Sequence, residues 1–184
     1  MSDFEMAVAV VLRHEGGFQR DPGDRGNWTG GAVGLGELRG TKFGISAASY
    51  PGEDIEGLTE ERAREIYYKD FWCLGSAGDP HFNYGLIQDQ AVATKVFDLA
   101  VTMERTGRHG PAIEILQRAV CSCGREIDVD GTLGAQTVEA ANAVPASDLL
   151  TAIKREAVEH YRGIVERNPG LAKWLGGWEA RASS

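Results

Sequence analysis

Glu15 is the residue whose setting most suggests chemistry. It closes an apolar stretch running from Phe4 to Leu12 and is followed at once by Gly16, Gly17 and Phe18. Two glycines end a helix, so this carboxyl is expected at a helix end beside flexible backbone. A carboxyl partly withdrawn from water holds its proton near neutral pH, as a general acid must. With a second carboxylate nearby, that is the equipment for cutting a glycosidic bond. Asp24, nine residues on, and Asp21 compete for that second place. Ordinary turn chemistry also accounts for both, since Asp21-Pro22-Gly23-Asp24 reads as a turn. Thr41 offers a hydroxyl that either holds a water or merely belongs to a strand. Trp28 and Tyr50 carry ring faces on which a pyranose could stack, or they cover the loop. His14 makes no triad with Glu15, because adjacent helix residues point about 100° apart and no nucleophile motif is present.

The elements that must position these groups are mostly helical. Residues 3–15 read as an amphipathic helix capped by Asp3. From Gly16 to Gly44 the chain is glycine-rich and poor in apolar residues, too long for a passive connection. Thr41 to Ser46 reads as a short strand or turn, and Tyr50-Pro51-Gly52 as another turn. Thr59 caps a helix that buries Ala63, Ile66, Tyr67 and either Phe71 or Trp72. Asp89 to Glu104 reads as a central helix buried on most sides. Pro111 opens the next helix. Ser147 is expected to cap a long helix through Ile164, which Asn168-Pro169-Gly170 ends. A short last helix carries Trp174 and Trp178, four apart and expected in the core. The fold class is mainly α, with at most a small β-hairpin near the glycine-rich loop. Two segments, 1–90 and 91–184, are expected to pack as one structural unit, since no linker separates them.

Composition narrows the partners. The 184 residues carry a net charge of −8, which argues against nucleic acid, because phosphate binding needs a basic stripe. No apolar run approaches the roughly 20 residues of a membrane span. Met1 to Glu5 has no basic n-region, so no secretory signal is read and a cytoplasmic birthplace is expected. Cys73, Cys121 and Cys123 are an odd set, read as reduced structural thiols rather than a metal site. Asp128-x-Asp130-Gly131 lacks the remaining ligands of a calcium loop and reads as a turn. Neither a cofactor nor a metal is called for.

The motifs resemble a known family. Glu15-Gly16-Gly17-Phe18, then Asp21-Pro22-x-Asp24-x-Gly26, then Thr41-Lys42-Phe43-Gly44-Ile45-Ser46 look like glycoside hydrolase family 108, lysozyme-like N-acetylmuramidases of the phage endolysin type. Tyr67-Tyr68-Lys69-Asp70-Phe71-Trp72 continues the match. Val96 to Val101, Ala112-Ile113-x-x-Leu116-Gln117 and Asp130-Gly131-x-x-Gly134-x-x-Thr137 resemble the predicted peptidoglycan-binding segment that accompanies the family. Two departures stand out: Thr102 where the family usually has asparagine, and an insertion between Gly30 and Gly40. The resemblance implies a lysozyme-like fold and peptidoglycan as substrate and partner. It implies Glu15 as the acid, with Asp24 and Thr41 at the other catalytic places. Trp28, Tyr50 and Asp21 remain candidates for substrate binding. Action then lies in the periplasm or wall, with delivery by a holin or secretion machinery and no membrane insertion. A lytic transglycosylase using Glu15 alone and a non-catalytic peptidoglycan-binding or phage structural protein are the alternatives.

Overall fold

The computed structural model describes residues 1–14, 16–73, 83–103 and 110–184; for His14 it describes the backbone only. The first helix, α1, runs Phe4–His14, and Asp3 caps it by accepting the Met6 amide at 3.0 Å. Its apolar stripe buries Ala7, Val8 and Val11. A hairpin follows the glycine-rich loop: β1 (Thr41–Lys42) pairs antiparallel with β2 (Ile45–Ser46). Phe43 and Gly44 connect them with φ of 51° and 74°. Two left-handed residues make the turn whose twist suits a two-residue hairpin.

Helix α2 (Glu60–Tyr67) is capped as expected by Thr59, which accepts the Arg62 amide at 3.2 Å. It widens into a π-helical turn, Tyr68–Trp72. That extra width turns both Phe71 and Trp72 inward, where α-helical spacing favours one of them. Helix α3 (Gln90–Met103) is the centre of the molecule and packs against α1, α4 (Gly110–Ser122) and α6 (Ala146–Arg167). Phe97 is fully buried on it, and the rings of Phe4, Tyr67, Trp72 and Tyr84 surround it at 5.2–6.5 Å. Edge-on packing of this kind adds to the burial of the aromatic area itself. The expected last residue of this helix, Glu104, lies outside the described residues.

Three expectations need correction. Helix α6 does not start at Ser147; it starts at Ala146 behind Pro145, whose carbonyl accepts the Asp148 and Leu149 amides. Proline fixes φ and opens the helix without a hydroxyl cap, and the helix runs to Arg167 rather than Ile164. A short helix, α5 (Ala135–Asn142), has too weak an apolar stripe to stand out in the sequence. In α7 (Ala172–Ser183) only one of the two tryptophans packs inward. Trp178 stacks on Tyr161 at 5.3 Å, while Trp174 is 55% exposed, with the Lys173 ammonium 5.1 Å from its ring centre. Helix α7 is tied to α3 by a buried ionic cluster: Arg181 donates to Asp98 at 2.9 Å, and Lys95 donates to the Arg181 carbonyl at 2.6 Å. Burial pushes the Lys95 ammonium below its ordinary pKa.

Candidate active site

A loop whose few apolar side chains are mostly left in water must be held by polar contacts, and here they converge on Asn27. This residue ends a short 3₁₀ turn, Arg25–Asn27, and is fully buried. Its Oδ1 accepts from the Thr41 hydroxyl at 2.7 Å and from Gln19 Nε2 at 3.1 Å. Its Nδ2 donates to Gln19 Oε1 at 2.8 Å and to the Asp21 carbonyl at 2.9 Å. Its own carbonyl accepts the Arg39 and Gly40 amides. The side chain and carbonyl of one residue thus gather two stretches of loop, 19–21 and 39–41, around its own turn.

The predicted site residues take distinct positions around this hub. Asp24 is exposed; its Oδ1 accepts the Gly26 amide at 2.8 Å, and Gln19 Nε2 lies 3.4 Å from its Oδ2. Thr41 pairs with Gln19 across an antiparallel bridge, which sets its hydroxyl toward Asn27. Asp24 and Thr41 therefore belong to one hydrogen-bonded network, joined through Gln19 and Asn27. The Asp21 carboxylate closes its own turn by accepting the Gly23 amide at 2.8 Å, so only its backbone reaches the hub. Trp28 is half-buried, and its indole donates to the Pro22 carbonyl at 2.9 Å, which holds the ring against the Asp21–Asp24 turn. Tyr50 points elsewhere: its hydroxyl donates to Asp70 at 3.0 Å, in the π-helical turn. Glu15 lies outside the described residues. The chain resumes at Gly16, whose carbonyl accepts the Phe43 amide at 3.2 Å.

The long insertion folds back on itself. Thr29 donates its amide to the Glu37 carbonyl and accepts the Glu37 amide on its hydroxyl, and Trp28 bridges Leu38. The extra residues form an arm with Val33 and Leu35 at 60% and 57% exposure, and Gly40 returns directly to Asn27. Gly40 has φ of 90°, and a Cβ there would stand 2.4 Å from the Gln19 carbonyl, so no other residue fits this crossing. The path from Asp24 to Thr41 is long in sequence and short in space.

Sequence reasoning missed Asn27 and Gln19. The one available signal is indirect: a long, glycine-rich and polar loop with few apolar side chains needs a buried polar anchor. Thr102 turns its hydroxyl to the Asp98 carbonyl of its own helix at 2.7 Å. Asp130 accepts from Gln117 and from the Thr132 amide, which is turn chemistry. Among the described residues no cluster of three metal-ligating side chains occurs, and no helix is long and apolar enough to cross a membrane. Cys73 is buried, and Cys121 and Cys123 are half-buried free thiols. A cavity of about 590 Å³ lies at the opposite end of α1, lined by Asp3, Phe4, Glu5, Arg64 and Tyr68 among others, and includes none of the network residues.

A family model described as Glycosyl hydrolase 108 matches residues 8–103, more than half of the chain. The chain belongs to glycosyl hydrolase family 108. A second model, described as a Predicted Peptidoglycan domain, matches residues 111–183. The solved structure titled "Structure of Brucella abortus SagA" superposes with a TM-score of 0.62 at 21% identity, covering 97% of this chain and 92% of that one. At that identity the likeness is one of fold. A search of curated proteins finds no match. This family 108 protein is therefore a lysozyme-like glycoside hydrolase that acts on peptidoglycan. The mainly α architecture with one small hairpin agrees with the sequence reading.

Proposed function

We propose that the protein is an N-acetylmuramidase of the endolysin type, cleaving the β-1,4 bond between N-acetylmuramic acid and N-acetylglucosamine. Glu15 is the general acid that protonates the leaving oxygen. Asp24 and Thr41 serve the opposite side of the reaction, where a water attacks the anomeric carbon. The observation that carries this reading is the shared network: an exposed carboxylate and a threonine hydroxyl, 17 residues apart in sequence, are held by two carboxamides bonded to each other, Asp24 by Gln19 and Thr41 by Asn27. Trp28, held against the Asp24 turn, is the sugar-stacking surface. Tyr50 is a weaker candidate, because its hydroxyl is engaged with Asp70.

The test is Glu15→Gln, nearly isosteric and unable to donate an acidic proton. Clearing of purified sacculi should fall by about 10²–10⁴-fold, the usual worth of general acid catalysis, with an unchanged circular dichroism spectrum. Activity within a few-fold of wild type removes Glu15 from the role. Fragment mass separates hydrolysis, which adds a water, from transglycosylation, which leaves an anhydro-sugar. Release of no fragments at all points to a binding protein.

The wall lies beyond the inner membrane, so delivery by a holin or secretion machine completes the proposal. Expression with and without an added export signal tests it. Lysis in the absence of both an export signal and a permeabilising partner shows that the chain crosses unaided.

A further inference from the structure

The hydrogen bonds around Asn27 fix where the Thr41 hydroxyl proton points. The Asp21 carbonyl can only accept, so the Asn27 group 2.9 Å from it must be the NH₂ end. The amide oxygen of Asn27 therefore faces Thr41 and Gln19. An amide oxygen can only accept, so the Thr41 hydroxyl, 2.7 Å away, must donate to it. A hydroxyl has one proton and two lone pairs. Once the proton points at Asn27, Thr41 offers only acceptor capacity outward. The Asp24 carboxylate, exposed and receiving Gln19 and Gly26 as donors, likewise offers only acceptor capacity.

We infer that Asn27 is a positioning residue that makes Thr41 an obligate acceptor, so that Thr41 and Asp24 together select a nucleophile able to donate twice. Water is such a molecule. Held by both protons, it turns a lone pair away from the two acceptors and toward the sugar. In the step, the water oxygen bonds to the anomeric carbon and the bond to the leaving oxygen breaks. The leaving oxygen takes the Glu15 proton, and one water proton passes to Asp24. This inference rests on the muramidase reading above. It adds a property that reading lacks: discrimination against alcohols, which have one proton on oxygen and can satisfy only one of the two acceptors.

The test is nucleophile competition. Peptidoglycan is digested in water–methanol mixtures, and the ratio of methyl glycoside to free reducing end is read by mass spectrometry. Partition between nucleophiles is a property of each active molecule, so it does not change with the fraction of enzyme folded. Wild type should strongly prefer water. Thr41→Val and Asn27→Ala should each raise the methanol share roughly fivefold, the worth of one net hydrogen bond, and lower kcat about tenfold with KM nearly constant. Thr41→Ser, which keeps the hydroxyl, should restore the wild-type ratio. Should Asn27→Ala fail to fold, Thr41→Val still decides, because it removes the hydroxyl and leaves the carboxamides in place. A wild-type enzyme that hydrolyses, with a ratio that Thr41→Val leaves unmoved, overturns this inference alone. The same holds for a ratio that moves with Thr41→Val but not with a folded Asn27→Ala. A wild-type enzyme that yields only anhydro-sugar overturns the muramidase reading and this inference with it.

Discussion

Two buried carboxamides organise the two halves of this molecule, and they do so to different ends. Asn27 is fully buried in the glycine-rich loop; Gln117 is 1% exposed on α4. Each folds a polar turn around itself. Gln117 Oε1 accepts the Asp130 and Gly131 amides, and its Nε2 reaches Asp130 Oδ1 at 2.8 Å, the Thr132 carbonyl and the Thr137 hydroxyl. Here the neighbouring carboxylate binds the hub directly: Asp130 Oδ1 accepts both from Gln117 and from the Thr132 amide. Around Asn27 the carboxylate stands one step further out. Asp24 meets the hub only through Gln19, and Thr41 gives the hub its proton and keeps its lone pairs. The same device ties its carboxylate directly to the hub in one half and at one remove in the other.

The largest effect that follows is on turnover. Asp24→Asn should lower peptidoglycan hydrolysis by about 10²-fold or more, the scale of acid–base catalysis, with little change in melting temperature. Asp130→Asn should do the reverse, keeping turnover and lowering the melting temperature. Asp21→Asn should fall between them, since its carboxylate closes a turn and its backbone alone meets the hub. If Asp21→Asn is the most damaging of the three in a folded protein, the assignment of Asp24 is reversed. If none of them alters turnover, the chemistry shifts toward a single-glutamate transglycosylase.

Next in size is the structural hub. Gln117→Ala strands the Asp130 and Gly131 amides, and should cost about 2–3 kcal/mol, the penalty for polar groups left without partners. Urea unfolding followed by circular dichroism reads this directly. Activity per folded molecule should stay within a few-fold of wild type. A large loss of turnover at full folding would mean that the second half takes part in the reaction, and the contrast between the two hubs would fail.

The same unfolding curve tests whether the halves are one unit. Phe97 on α3 is packed by Phe4 from α1 and by Tyr67 and Trp72 around α2, while α3 also packs on α4 and α6. A single transition is expected, because neither half keeps its share of that core alone. A fragment of residues 1–90 that is monomeric, folded and active would overturn it.

Much of this was legible in the chain, for local reasons. Asp3 and Thr59 cap the helices they precede, and the hairpin falls where Thr41 to Ser46 read as a short strand or turn. Such features depend on a few neighbouring residues, which a sequence displays. Asp24 and Thr41 were legible as candidates, but the link between them was not. It depends on Asn27 meeting Gln19, Asp21 and Thr41 across a folded loop, and no spacing rule encodes that meeting. The same reason hides the fates of the tryptophans: Trp174 and Trp178 have identical helical spacing credentials, and only the position of Tyr161 on α6 selects Trp178 for burial. Ser147 misled because a good capping residue stood one turn position inside a helix that proline had already opened.

The smallest expected effect is the pH response of the second half. His160 is half-buried on α6, with Arg118 and Glu114 of α4 and Arg167 of its own helix nearby. Burial, with the two arginines adding to it, pulls its pKa below the ordinary histidine value, and Glu114 opposes this only weakly. The folded protein thus favours the neutral ring. As pH falls through about 6.5, the unfolded chain takes up the proton before the folded one does. Stability from this group is therefore full above that pH and is lost on acidification. Two other shifted groups of this half act outside the window. Asp130 is lowered by its donors and titrates well to the acid side, and Tyr161 is pushed up to about 12 by burial. Melting temperature should decline modestly between pH 7.5 and 5.5, and His160→Gln should flatten that decline. Turnover of peptidoglycan per folded molecule should not follow the substitution, because His160 faces Arg118, Glu114 and Arg167 rather than the Asn27 network. A melting temperature that rises on acidification, or a slope unchanged in His160→Gln, would show that the ring is held protonated or that its environment is wetter than its burial implies.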